Sequence, residues 1–220
     1  EDEFMKQVSV LKFGGSSVGT IDKIKDISTY LKKRVENNEK LIVVVSAMGK
    51  TTDELLKQVE KITDNPDVRE LDTLLAIGEQ NTISLMAITL NELGVRARSL
   101  TGIQAGIKTF GQHTKSRIAD IDADFLNGQL EEFDILVVAG FQGYNENLEI
   151  TTLGRGGSDT SAVALAAAIG ASCEIYTDVT GVFGTDPRIY KAARQLSQVS
   201  YEEMLELSAL GAGVLETRCV

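Results

Sequence analysis

Leu41 to Val45 is a continuous apolar run rich in β-branched side chains, and Ile135 to Gly140 repeats the pattern later in the chain. A strand sends alternate side chains to opposite faces, so a run without a polar position must be buried on both. That requirement points to the interior of a mainly parallel sheet with helices on both sides. The intervening sequence supplies them. Val8 to Phe13 alternates into a strand, and Ile24, Ile27, Leu31 and Val35 share one face of a helix from about Ile21 to Val35, which Ser16 or Ser17 can cap. Helices are expected near Thr52 to Ile62, Arg69 to Leu93 and Asp122 to Glu132, and a strand at Val95 to Leu100. A glycine-punctuated stretch runs from Thr101 to Gln112, and a hairpin is expected between Phe141 and Leu153. An Ala-rich helix from Ser158 to Ile169, a strand at Glu174 to Asp178, a long loop from Val179 to Arg188 and a helix at Tyr201 to Leu210 complete the order.

In such sheets ligands bind beyond the carboxyl ends of the strands. Lys12 to Ser17, Ser46 to Gly49, Gly140 to Gly143 and Thr177 to Gly181 all begin there. Two glycine turns stand out, Lys12-Phe13-Gly14-Gly15-Ser16-Ser17 and Gly154-Arg155-Gly156-Gly157-Ser158-Asp159. Backbone N–H groups unshielded by a Cβ, next to a helix N-terminus, approach phosphate or carboxylate oxygens closely. Lys12 and Arg155 add positive charge. The first turn has neither Walker A spacing nor the third glycine of a dinucleotide fingerprint, and alone it is also an ordinary strand-to-helix turn. Ser158 and Asp159 would equally serve as a helix cap.

Glu79 interrupts an apolar helix at Leu74, Leu75, Ile77, Ile83 and Met86. A buried carboxylate requires a partner, either a structural Arg or Lys or a substrate ammonium. Tyr176 to Arg188 ends a strand in a loop with Phe183 to lie against a base and Asp178 at a polar edge; it is also readable as a surface loop. His113, the only histidine, excludes a histidine-rich metal site and reads as incidental. Asp120, Asp122 and Asp124 read as an acid-rich helix start.

Charge narrows the partners. With 22 Lys and Arg against 32 Asp and Glu, the formal charge is −10, which repels nucleic acid and anionic membranes. An anionic ligand therefore needs a local cationic cluster. Cys173 and Cys219 lack metal or redox spacing, which suits a reducing cytosol. No apolar run reaches transmembrane length, and the acidic opening has no signal-peptide n-region, with Met5 readable as the natural start.

Taken in order, Lys12-Phe-Gly-Gly-Ser-Ser, Val45-Ser-Ala-Met-Gly, Gly78-Glu79, Gly154-Arg-Gly-Gly-Ser-Asp and Thr177-Asp-Val-Thr-Gly-Val-Phe-Gly-Thr-Asp-Pro-Arg resemble the aspartokinases of the amino acid kinase family. The resemblance implies a three-layer α/β/α sandwich with a mainly parallel central sheet. It implies ATP- and Mg2+-dependent phosphorylation of the side-chain carboxylate of L-aspartate, the first step towards lysine, threonine and methionine, in the cytoplasm that the cysteine usage suits. It assigns Lys12 and Asp159 to catalysis, and Ser46, Glu79, Arg155 and Ser158 to the amino acid. To ATP it assigns Lys12, Phe13, Gly14, Gly15, Thr177, Asp178, Phe183, Arg188, Gly213 and Val214, with no protein-held metal.

Two departures accompany the resemblance. Gly211-Ala-Gly213-Val-Leu215 has glycine where the family commonly has a nucleotide-contacting lysine, and the chain stops before the paired ACT regulatory domains. Residues 1–220 are accordingly expected to be one catalytic domain, truncated at its C-terminus, from a protein that is a homo-oligomer at full length. The alternatives are another amino acid kinase, acting on glutamate or a nucleoside monophosphate, and a nucleotide-binding module without turnover.

Overall fold

The computed structural model describes residues 7–178, 181–183, 189, 191–209 and 214–215. Five parallel strands make the central sheet: β1 (Gln7–Phe13), β2 (Glu39–Val45), β3 (Ala97–Leu100), β6 (Ile135–Ala139) and β9 (Ser172–Tyr176), in the order β3-β6-β2-β1-β9. From Leu41 to Val45 β2 is paired on both sides, against Ser9 to Phe13 of β1 and against Ile135 to Ala139 of β6. Its apolar run is buried on both faces, as the sequence requires.

The pleat divides the core in two. Leu11, Phe13, Leu41, Val43, Val45, Ile135 and Val137 pack against α1 (Ile21–Glu36) and α4 (Ile77–Glu92) through Ile24, Leu31, Ile83, Met86 and Leu90. Val10, Ile42, Val44, Leu136 and Val138 face the other way, onto α5 (Ala123–Glu132) and α6 (Gly157–Ile169) through Leu126, Leu130, Ala162 and Leu165. Helix, sheet and helix thus form three layers, as expected. The small side chains of α6 let it lie close on β1 and β2.

Several elements differ from expectation. Thr20, whose hydroxyl accepts from the Lys23 N–H, caps α1 in place of Ser16 or Ser17. The first glycine turn is therefore followed by a short irregular stretch before the helix opens. The helix expected from Arg69 to Leu93 is two, α3 (Val68–Leu75) and α4, separated at Ala76. β4 (Ile107–Phe110) and β5 (Arg117–Ile121) were not anticipated. They join the expected hairpin, β7 (Gln142–Tyr144) and β8 (Ile150–Thr152), in a second sheet of order β5-β4-β7-β8. α2 (Thr51–Glu60) follows the β2 loop, and α7 (Tyr201–Ala209) is the last described helix.

At the amino end of β6, Asp134 receives hydrogen bonds from Arg96 Nε at 3.0 Å and Nη2 at 2.8 Å, and from Lys40 Nζ at 3.1 Å. The Arg96 guanidinium, aided by Lys40, holds the Asp134 carboxyl down to about 2 from an ordinary 3.8, against burial. A depressed folded-state value means the native state binds fewer protons than the unfolded chain between those limits. The stabilisation is therefore present above about pH 4 and lost as pH falls through about 2. Asp134→Asn is expected to lower the urea-unfolding free energy by about 2 kcal/mol at neutral pH, with the difference shrinking as both proteins are taken to pH 2; an equal difference at both pH values would exclude the linkage.

Candidate active site

At the carboxyl ends of the central strands lies an open cavity of about 320 Å³, lined among others by Lys12, Gly15, Ser46, Glu79, Ser158 and Asp159. Residues from four separate segments thus meet at one place. Lys12 is the penultimate residue of β1, and the chain turns at Gly14 and Gly15, where the N–H groups of Ser17 and Val18 return to Gly14 O at 3.0 and 3.2 Å. The Gly15 site is crowded: a Cβ there would lie 2.8 Å from Ala47 O. Gly49 N–H donates to Gly15 O at 3.0 Å and Ser46 N–H to Phe13 O at 3.2 Å, so the loops after β1 and β2 are sewn together.

Glu79 is brought in by the break at Ala76. A Cβ on Gly78 would come within 2.7 Å of Ala47 Cβ, so only glycine allows the first turn of α4 to rest on the β2 loop. Glu79 is 3% exposed, and its Oε1 accepts from Ala47 N–H at 3.1 Å while Oε2 has no partner. Burial pushes the Glu79 carboxyl up to about 7, the two backbone N–H donors opposing it only in part. Neither an Arg nor a Lys pairs with it among the described residues. The partner that a buried carboxylate needs is thus supplied by no side chain described in the fold.

The second glycine turn comes in along β8. Gly156 is the N-cap of α6 in the left-handed conformation, φ 68°, with no side-chain cap. Ser158 and Asp159 therefore do not cap the helix and are turned to other partners. Ser46 Oγ donates to Ser158 Oγ at 2.9 Å, and Lys12 Nζ sits 2.7 Å from Asp159 Oδ1, a close charge contact outside hydrogen-bond alignment. Both members of that ion pair are mostly buried, which strengthens the interaction over that of a surface pair.

Arg155 lies between the lining residues Gly154 and Gly156, but its own side chain is exposed and outside the lining. Thr177 and Asp178 are exposed and follow Tyr176, which is paired in register with Phe13 and stacks on its ring at 4.6 Å. They leave the sheet next to the Gly14-Gly15 turn. Phe183 bridges to Gln195, and Val214 is half-buried in a turn; neither lines the cavity. Arg188 and Gly213 lie outside the described residues. Lys12, Gly15, Ser46, Glu79, Ser158 and Asp159 are gathered at the cavity, with Arg155 at their margin, whereas Thr177, Asp178, Phe183 and Val214, the described residues expected to hold the rest of the nucleotide, do not line it.

Thr52 and Phe141 also line it, and the sequence reading missed both. Thr52 sits in the first turn of α2, just beyond the Ser46-Ala-Met-Gly49 loop, a position that could have been singled out. Phe141 has φ 69°, unusual for a bulky residue, and its N–H is held by Ser161 Oγ at 3.0 Å. No local sequence signal marks that conformation. Among the described residues no group of three or more His, Cys, Asp or Glu side chains could hold a metal ion, and no described helix is long and apolar enough to cross a membrane.

Aspartokinase 2 of Bacillus subtilis is 57% identical over 212 residues, covering 96% of this chain and 52% of that protein. The aspartokinase of Geobacillus stearothermophilus is 55% identical over 214 residues, covering 97% and 53%. The chain thus spans about half the length of the curated relatives it matches. The crystal structure of aspartate kinase from Synechocystis superposes with a TM-score of 0.82 at 48% identity, over 96% of this chain and 35% of that one. With the family model described as "Amino acid kinase family" matching residues 7–220, on a three-layer fold whose glycine-rich loops share one cavity, the chain belongs to the amino acid kinase family.

Proposed function

We propose that this chain is the catalytic domain of an aspartate kinase, transferring the γ-phosphoryl group of ATP to the side-chain carboxylate of L-aspartate. A side-chain carboxylate oxygen attacks the γ-phosphorus, the bond to the ADP oxygen breaks, and 4-phospho-L-aspartate and ADP leave. The observation that carries the reading is the Glu79 carboxylate, buried with Oε2 unpartnered in a cavity that Lys12 also lines. That pairing of a lone buried anion with a cation suits a zwitterion that brings an ammonium to one and a phosphate acceptor to the other. The similarity to named aspartokinases supports the choice of aspartate.

A carboxylate acceptor, ordinarily titrating near ~3.9, is ionised at neutral pH and needs no general base. The lone histidine is thus no handicap: His113 does not line the cavity. The chain's task is to align two anions and neutralise charge on the moving group. Lys12 and the Gly14-Gly15 turn would hold the phosphoryl group, and the contact with Asp159 would aim the Lys12 ammonium. Ser46, Ser158 and Arg155 would hold the amino acid's carboxylates, and Glu79 its ammonium. Thr177, Asp178, Phe183, Arg188, Gly213 and Val214 would serve the rest of the nucleotide. Mg2+ bound with the nucleotide would supply charge neutralisation at its phosphates.

Coupled ADP-release assays with aspartate, glutamate and a nucleoside monophosphate test the reading. ADP release is expected with aspartate alone, accompanied by a product that hydroxylamine converts to a hydroxamate, as an acyl phosphate requires. ATP binding in calorimetry without release on any acceptor would replace the reading with that of a nucleotide-binding module.

A further inference from the structure

Outside the cavity, the chain buries a second carboxylate completely. Asp72, in the last half of α3, is 0% exposed, yet no Lys or Arg among the described residues pairs with it. Its donors come from two other segments. Oδ2 accepts from His113 Nδ1 at 2.8 Å and from Thr152 N–H at 3.0 Å, while Oδ1 accepts from Thr152 Oγ1 at 2.5 Å; the Thr114 N–H is shared between both oxygens at 3.0 and 3.1 Å. Thr114 is held at φ 66°, a conformation disfavoured for a β-branched residue, by that contact with the carboxylate. The far ring nitrogen of His113 is 3.5 Å from Glu149 Oε2, and Arg69 Nε is 3.7 Å from Glu149 Oε1, which closes the cluster over α3.

The position of the cluster gives it meaning. Thr152 ends β8 and leads directly into 153–157, the glycine turn whose Gly154, Gly156 and Gly157 line the cavity. Asp72 is one turn from Ala76, where α3 gives way to the α4 turn that carries Glu79. Gln142, paired with Thr152 across the hairpin, donates to Ala76 O at 3.0 Å and fastens the same joint from the other side. One carboxylate therefore joins the two cavity walls.

We propose that Asp72 is a positioning residue for the amino acid half of the site: through Thr152 and α3 it fixes the glycine turn at 153–157 relative to Glu79. This rests on the reading under Proposed function for its kinetic consequence, although the mechanical coupling stands without it. Acting on the amino acid walls, the clamp sets affinity for the acceptor and leaves the nucleotide's unaffected.

Thr152→Val removes the hydroxyl donor at nearly constant volume, and Thr152→Ser keeps it. In Thr152→Val the KM for aspartate is expected to rise about tenfold, the order that losing one hydrogen bond to a charged group corresponds to, with the KM for ATP within about twofold; Thr152→Ser stays near the parent. Hydrogen exchange supplies a readout independent of turnover. Thr152→Val should speed exchange both at 153–157 and across the cluster at 75–79, and Thr152→Ser at neither. Faster exchange confined to 150–153, no change at 75–79, equal effects of Val and Ser, or parallel rises in both KM values would overturn the proposal. Should the parent protein fail to turn over aspartate, the proposed function falls while the exchange comparison still decides the clamp.

Discussion

Lys12→Ala is expected to lower turnover by on the order of 100-fold or more, the scale seen when one charged or hydrogen-bonding donor to a developing oxyanion is deleted. Its secondary structure should be unchanged. Lys12 stands near the end of β1, between β2 and β9, so its backbone is fixed by pairing on both sides and does not depend on the ammonium. The side chain's one described ionic partner is Asp159. Removing the ammonium leaves that mostly buried carboxylate uncompensated, so some loss of stability accompanies the mutation. Lys12→Ala combined with Asp159→Asn separates the two effects: the neutral pair should recover stability without recovering turnover. Steady-state ADP release, circular dichroism and thermal unfolding on the three variants supply the measurements. An unchanged rate in Lys12→Ala would remove the lysine from the mechanism.

The arrangement around Lys12 was legible in the sequence because each part had a local cause. An apolar run without polar positions must lie inside a sheet, strands alternating with helices make that sheet parallel, and the loops at one edge then converge. Features set by distant contacts were not legible. The apolar series Leu74, Leu75, Ile77 continues through Ala76, itself a good helix former, so nothing local announces the break that turns Glu79 onto the β2 loop. β5 escaped because its residues are mostly exposed, and β4 because Gly102, Gly106 and Gly111 surround it. Asp72 looks like any other charged residue in an amphipathic helix, and His113 looked incidental; their contact becomes visible only when residues far apart in the chain are folded together. The glycine-rich turns, in contrast, revealed themselves as close approaches even before their neighbours were known.

Glu79→Gln is expected to make the empty protein more stable while weakening binding of the amino acid. The two effects share one cause. With its carboxyl pushed up to about 7 by burial, from an ordinary 4.5, Glu79 keeps a proton in the folded state that the unfolded chain has already released. Between those limits the native state binds more protons, so stability falls as pH rises, and the full penalty is present above about 7. Glutamine retains an oxygen for the Ala47 N–H and never ionises, which should raise the unfolding free energy by on the order of 2 kcal/mol at pH 8 and by nothing near pH 4. An incoming ammonium draws its binding energy from the same desolvated charge. The parent's kcat/KM for aspartate should accordingly rise with pH through about 7 and level off as Glu79 ionises, while Glu79→Gln loses on the order of 100-fold or more in that parameter, as expected when a buried charge loses its counter-charge. Thermal unfolding and kinetics across pH 5 to 9 on both proteins provide the test. A glutamine variant less stable than the parent at pH 8, or one that still binds aspartate normally, would show that Glu79 has a structural partner and that the ammonium binds elsewhere.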